Sequence, residues 1–157
     1  MKSAVVRVVE ALRAAGVAAP VTEFAESTRT AQEAAAAVGA TVGQIVKSLV
    51  FVAGDQPVLA LVSGANRVDT HKLASAAGAP IQRADASIVR EATGFAIGGV
   101  PPIGHATSLR TFLDADLRQY DLVWAAAGTP NAVFPITPAE LERITQAQIV
   151  ELAHAEQ

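Results

Sequence analysis

Apolar positions change period along the chain, and the changes mark out its elements. Val5, Val8, Val9 and Leu12 recur at helical spacing, with Ser3 placed to cap the helix and Gly16 to stop it. Thr30 and Glu33 have capping-box spacing ahead of an alanine-rich helix that ends near Gly39, and Thr41 with Gln44 repeats the signal for a short turn. Val46 to Ala53 and Pro57 to Val62 are strand-like runs joined by Gly54-Asp55-Gln56, which predicts a hairpin. Asp69 opens a further helix through Ala77, closed by Gly78, and Ser87 opens one that ends at Gly94. Phe95 to Ile97 leads into Gly98-Gly99-Val100-Pro101-Pro102-Ile103-Gly104, too rich in glycine and proline for a helix or a central strand. Leu109 to Leu113 and Leu122 to Ala127 read as strands flanking a short polar helix. Thr137-Pro138-Ala139-Glu140 joins an N-cap, a first-position proline and a capping-box glutamate at the start of a C-terminal helix.

Hairpins and helices mixed without strict strand-helix alternation favour an α+β or irregular α/β fold over a doubly wound nucleotide fold. The expectation is a mixed, largely antiparallel or barrel-like sheet surrounded by helices. No repeat, linker or charge block divides the chain, so 1–157 reads as a single domain. With 51% hydrophobic and 17% charged residues it has the apolar surface to offset the entropy of ordering. It has no cysteine, which removes disulfides, thiolate nucleophiles and cysteine-bound zinc. Glu10 and Arg13 interrupt the N-terminal region, and no apolar run approaches the roughly 20 residues of a membrane helix, so a soluble, cytoplasmic chain is expected. The net charge of −3 argues against bulk electrostatic binding of DNA or other nucleic acid. Residues 29–90, with six basic and four acidic side chains, are where a phosphate meets least repulsion.

Two features carry candidate chemistry. In Val46-Lys47-Ser48-Leu49-Val50-Phe51-Val52 both alternating faces are apolar, and Lys47 shares a face with Leu49 and Phe51. An ammonium there is costly to desolvate unless the strand opens into a cleft or meets an anion; snorkelling from the strand's edge is the structural alternative. The second is the loop Gly98 to Gly104, whose glycines permit close approach of main chain and whose prolines restrict it, a pattern that plain turns share. It lacks the ending of a phosphate loop and the spacing of a dinucleotide fingerprint. His105 adjoins it as a substrate-contact candidate or a surface histidine. His71 and His154 lie elsewhere, His71 facing solvent on its helix, and no metal-ligand spacing or Gly-x-Ser-x-Gly elbow occurs. Neither metal nor cofactor is expected.

Taken together, Gln44-Ile45-Val46-Lys47-Ser48-Leu49, Ser63-Gly64-Ala65-Asn66, Thr93 through Gly104 and Ala127-Gly128-Thr129-Pro130 resemble the YbaK/EbsC family across essentially the whole chain. That family includes the editing domain inserted in many bacterial prolyl-tRNA synthetases, and this chain is similar to a freestanding relative. The resemblance implies hydrolysis of the ester joining a wrong amino acid to the terminal ribose of transfer RNA. Its partners would be the acceptor end of mischarged aminoacyl-tRNA and, as a further candidate, a synthetase. By the same resemblance Lys47 engages the terminal phosphate or ribose region, and the main chain of Gly98 positions ester and water. Ser48 stands at a position usually held by threonine or serine, and Asn66 matches a polar pocket residue. Gly99, Val100, Pro101, Gly104, His105, Gly128 and Thr129 complete the expected substrate-binding set. The ribose hydroxyl next to the ester assists, so no side-chain nucleophile is required. Ala125-Ala126-Ala127 stands where some relatives place a serine before the glycine, which leaves alanine, cysteine and serine open as the amino acid removed. A non-catalytic module binding an amino acid, a nucleotide or a synthetase is the competing class, and a serine esterase a remote third.

Overall fold

The computed structural model describes residues 2–26, 28 and 30–154. Among them run α1 (Ser3–Ala14), β1 (Thr22–Glu23), α2 (Ala31–Val38), β2 (Ile45–Ala53), β3 (Gln56–Ser63), α3 (Thr70–Ala77), β4 (Ile81–Arg83), α4 (Ala86–Thr93), β5 (Arg110–Asp114), β6 (Val123–Ala126), β7 (Ala132–Ile136), α5 (Pro138–Thr145) and β8 (Gln148–Val150). The strands form one mixed sheet in the order β1-β7-β6-β2-β3-β5-β8, with β4 paired to β2 beside that path. Four of its ladders are antiparallel and three parallel. The α+β expectation holds; the sheet ends at β1 and β8 rather than closing.

The hairpin β2–β3 is the centre of the molecule, and strand alternation divides its apolar residues between two cores. Leu59 and Leu61 of β3 join Val46 and Val50 of β2 in a core with Val5, Val8 and Leu12 of α1, Val89 of α4 and Leu141 of α5. Val58, Ala60 and Val62 join Phe51 in a second core with Leu73 of α3, Phe112 and Leu152. Because β3 is covered on both faces, its run from Val58 to Val62 is continuously apolar, as the sequence shows.

Most start and stop signals act as read. Thr30 and Glu33 form the capping box of α2, and Gly39 closes the helix. Asp69 accepts from His71 N and Lys72 N at the start of α3, closed by Gly78. Two starts are shifted. Lys2 is the N-cap of α1, leaving Ser3 as its first helical residue with no cap to supply. Asp85, not Ser87, caps α4, its carboxylate accepting from Ile88 N at 2.9 Å. At α5 Thr137 caps through Glu140 N, while the Glu140 carboxylate turns to Arg143 at 2.8 Å instead of returning to the cap. Strands β1, β4, β7 and β8 went unread. Three are only two or three residues long, and β7 carries Pro135, which speaks against a strand.

Candidate functional site

β2 has an incomplete edge. β3 pairs with it from Val46 to Ala53. On the opposite edge β6 reaches only Ile45 and Val46, and β4 only Phe51, Val52 and Ala53. Lys47 to Val50 therefore lack a strand neighbour on that side among the described residues, and alternate residues turn N–H and C=O outward there. A cavity of about 640 Å³ wraps this gap. Lys47, Ser48, Gly98 and Val100 line it, so the lysine of the greasy strand and the first glycine of the loop share one cleft.

The pleat gives the two sides of the gap different chemistry. Lys47 lies on the face of Leu49 and Phe51, and antiparallel pairing of Phe51 with Arg83 puts Arg83 on that face too. Arg67 and Thr70 line the same cavity. On the other face stand Val46, Ser48 and Val50, opposite Val89, Val100 and Ala125 of the first core. The hydroxyl of Ser48 is buried with no hydrogen-bond partner among the described residues.

Lys47 is half-buried and donates from Nζ to the main-chain oxygen of Asn66. The turn Ser63-Gly64-Ala65-Asn66 presents that oxygen: Ser63 Oγ donates to Gly43 O at 2.7 Å and accepts from Ala65 N at 3.2 Å. Burial first, and the nearby Arg67 charge second, hold the Lys47 pKa below the ordinary lysine value. An anion entering the cavity would relieve both penalties.

Gly98 adopts φ +96°, a conformation that favours glycine. Its neighbour Gly99 spends its N–H on Ala96 O at 3.1 Å, whereas the Gly98 N–H has no acceptor among the described residues. The Val100 N–H likewise has no acceptor among the described residues, so the two loop residues Gly98 and Val100 both bring an uncommitted amide to the cavity lining.

Other expected contact residues lie outside the cavity lining. The Asn66 side chain donates to Asp116 at 2.8 Å and to Asp114 at 3.4 Å, so only its main chain serves Lys47. Gly99 is packed against the main chain of Thr129, and Gly128 against the carbonyl of Ala4. Thr129 donates to the Asn131 side chain at 3.1 Å. His105 donates from Nε2 to Pro101 O at 2.7 Å and lines, with Gly104, a separate shallow depression. His71 is exposed on α3. Among the described residues no cluster of three potential metal ligands occurs. Arg67, Arg83, Trp124, Ile97 and Thr28 also line the cavity and were not singled out from sequence. Ile97, 54% exposed beside Gly98, carried the one readable signal, an apolar residue at the mouth of a glycine loop.

A fold with an acceptor-lined lysine and a glycine-loop amide at one open strand edge defines a class of domain that comparison with known proteins names. Residues 25–144 match the family model of the aminoacyl-tRNA editing domain. The chain belongs to that family, the YbaK/EbsC editing domains. It is 34% identical over 130 residues to YwhH, an uncharacterized protein of Bacillus subtilis, covering 82% of this chain and 83% of that protein. It is 30% identical over 138 residues to EbsC of Enterococcus faecalis, named as a candidate Cys-tRNA(Pro)/Cys-tRNA(Cys) deacylase, covering 85% and 84%. A crystal structure described as a candidate trans-editing enzyme for prolyl-tRNA synthetase superposes with a TM-score of 0.95 at 52% identity, covering 99% of both chains. Among the described residues no helix is long and apolar enough to cross a membrane.

Proposed function

We propose that residues 1–157 form a single editing domain that acts in trans in the cytoplasm as an aminoacyl-tRNA deacylase. The observation that carries this reading is that Lys47 and Gly98 line one cavity on the unpaired edge of β2. The ester carbonyl sits under the Gly98 loop, where the free N–H meets the oxygen as negative charge develops on it. Water adds to the carbonyl carbon, the bond to the ribose oxygen breaks, and that oxygen leaves with a proton as the free hydroxyl. The adjacent ribose hydroxyl orients the water, so alignment takes the place of a protein nucleophile. Lys47, fixed by Asn66 O, supplies positive charge at the anionic end of the substrate.

The amino acid side chain enters the Ser48 side of the gap, between Val46, Val50, Val89 and Val100. These walls favour a small residue, and the unpartnered Ser48 hydroxyl accommodates a polar one. Alanine on tRNA(Pro) is the leading substrate, with cysteine and serine next. Apolar pockets discriminate by steric exclusion plus about 1–3 kcal/mol per methylene, so the cognate larger residue is excluded by size.

Deacylation rates on a panel of mischarged tRNAs test the proposal. Release of a small amino acid from one or more members is expected, with Lys47→Ala slower by about 100-fold or more at unchanged melting temperature. No turnover of alanyl, cysteinyl or seryl esters overturns it.

A further inference from the structure

We infer that the Lys47 face of the open edge is a phosphodiester track, in which Arg67 and Arg83 each take a backbone phosphate of the single-stranded 3′ tail that carries the aminoacyl ester. This rests on the deacylase reading for its ligand but concerns residues that the reading does not use.

Among the described residues three cations, Lys47, Arg67 and Arg83, line the cavity, and no carboxylate does, although the chain as a whole carries −3. Acidic side chains outnumber basic ones in this protein, so a cavity wall with only positive groups is a local departure from its charge. Both guanidinium groups are exposed, and neither has a hydrogen-bond or ion-pair partner among the described residues. Arg7, Arg110 and Arg143 bond carbonyl oxygens, and Arg143 also pairs with Glu140, while Arg13, Arg90 and Arg118 share the lack of a partner but do not line the cavity; what sets Arg67 and Arg83 apart is their place beside Lys47.

The register sets their spacing. Arg83 faces Phe51, four residues along β2 from Lys47, so the two ends of the track are separated by roughly 13 Å at a strand rise of about 3.3 Å per residue. Arg67 stands at the Lys47 end, near enough to depress that lysine's pKa. A single carboxylate or one inorganic phosphate cannot span such a row, whereas a polyanionic strand can. Guanidinium forks match phosphate oxygens in pairs. The Ser48 face beyond the edge is left for the aminoacyl group, which places sugar-phosphate and amino acid on opposite sides of one strand.

Trp124 makes the track observable. It is the chain's single tryptophan, it pairs with Ile45 and so lies on the Lys47 face, and it lines the cavity. Its fluorescence can be titrated with an uncharged single-stranded RNA of the tRNA 3′-tail sequence at several salt concentrations. The parent should bind with a salt slope that Arg67→Gln and Arg83→Gln each reduce by about 0.7, with affinity at low salt falling about tenfold per substitution. Arg67→Lys and Arg83→Lys should restore the slope. In deacylation, the glutamine variants should raise KM for a tail-bearing ester with kcat held, and match the parent on an aminoacyl-adenosine ester without phosphodiesters. No saturable signal from the parent, unchanged slopes, or equal losses on both esters overturns the track. Because the titration contains no ester, a parent that binds the RNA in this arginine-dependent way but hydrolyses nothing would break the deacylase reading alone.

Discussion

The two sides of the loop between Thr93 and His105 differ in how much bonding capacity they spend. On the side away from the cavity the polar side chains Arg7, Thr93 and His105 are all engaged. Arg7 of α1 donates to Gly94 O and Gly104 O, each at 3.2 Å, and lies 4.5 Å over the Phe95 ring. Thr93 Oγ1 donates to Val89 O at 2.7 Å and accepts from Phe95 N at 3.0 Å. His105 is fixed to Pro101 O and meets Phe95 edge to face. On the cavity side the Gly98 N–H, the Ser48 hydroxyl and the open edge of β2 are unspent, with two exposed guanidinium groups beside them. Buried or half-buried polar groups are normally satisfied, so concentrated unspent capacity marks where a ligand belongs. The spent side keeps the loop stiff enough to present it. Much of that clasp comes from α1, which lies before residues 25–144 of the family match.

The largest expected effect breaks the locked side. A Cβ on Gly99 would stand 2.7 Å from Thr129 Cα and 2.8 Å from its N and C, all main-chain atoms with no flexible end to yield. Gly99→Ala should therefore cost about 2–3 kcal/mol, lowering the melting temperature by roughly 5–10 °C, and should slow deacylation because Gly98 moves with it. An unchanged melting curve would mean that Gly99 is a surface contact and the loop is not held there. Arg7→Met comes next, at about 1–2 kcal/mol, discounted because Arg7 is exposed. Its signature is a lower kcat at constant KM, since it touches the loop and not the cavity.

These effects also explain what the sequence could show. Helix caps, the hairpin and the glycine loop depend on neighbours within a few residues, so Thr30, Asp69, Gly54 and Gly98 announced them directly. Lys47 stood out because a cation among apolar strand residues breaks the local pattern. The gap in β2, by contrast, depends on where β6 leaves and β4 joins, 79 and 32 residues away by the pairs Val46 to Ala125 and Phe51 to Arg83. No local signal encodes that. Arg67 and Arg83 look like any solvated arginine until the register aligns them. Gly99, Gly128 and Thr129 stood among the expected contacts because glycines that admit a ligand and glycines that admit a neighbouring main chain read alike.

Ser48→Ala sharpens the comparison from the open side. Removing a buried hydroxyl with no partner should leave stability unchanged or raise it by about 1 kcal/mol, while the ratio of seryl to alanyl ester hydrolysis falls. Gain of stability with loss of specificity is the mark of a group kept for substrate. A lower melting temperature would instead show that the hydroxyl has a partner in the folded protein and belongs with the spent groups.

The smallest effect is a pH dependence confined to the locked side. Burial first, with the Arg7 charge adding to it and the Pro101 contact opposing, lowers the His105 pKa below the ordinary value of 6.5. The folded chain then holds a neutral imidazole where the unfolded chain begins to take up a proton. Well above the ordinary value, by about pH 7.5, almost no molecule of either state binds that proton and His105 adds little slope. As pH falls from there, the unfolded state binds more protons, so stability is lost until the folded pKa is reached; near pH 6 the loss is under about 1 kcal/mol. His105→Gln keeps an N–H for Pro101 O but cannot titrate, so its stability should fall less than the parent's between about pH 7 and 5.5 in denaturant melts. In Arg7→Met the His105 pKa should rise toward normal and the parent's extra slope should shrink. Lys47, whose pKa is lowered by burial and then by the Arg67 charge, is a separate group on the cavity side, so binding there should not follow the His105 curve. If the parent and His105→Gln curves coincide, the imidazole protonates freely in the folded state, and the loop is less locked on that side than its hydrogen bonds indicate.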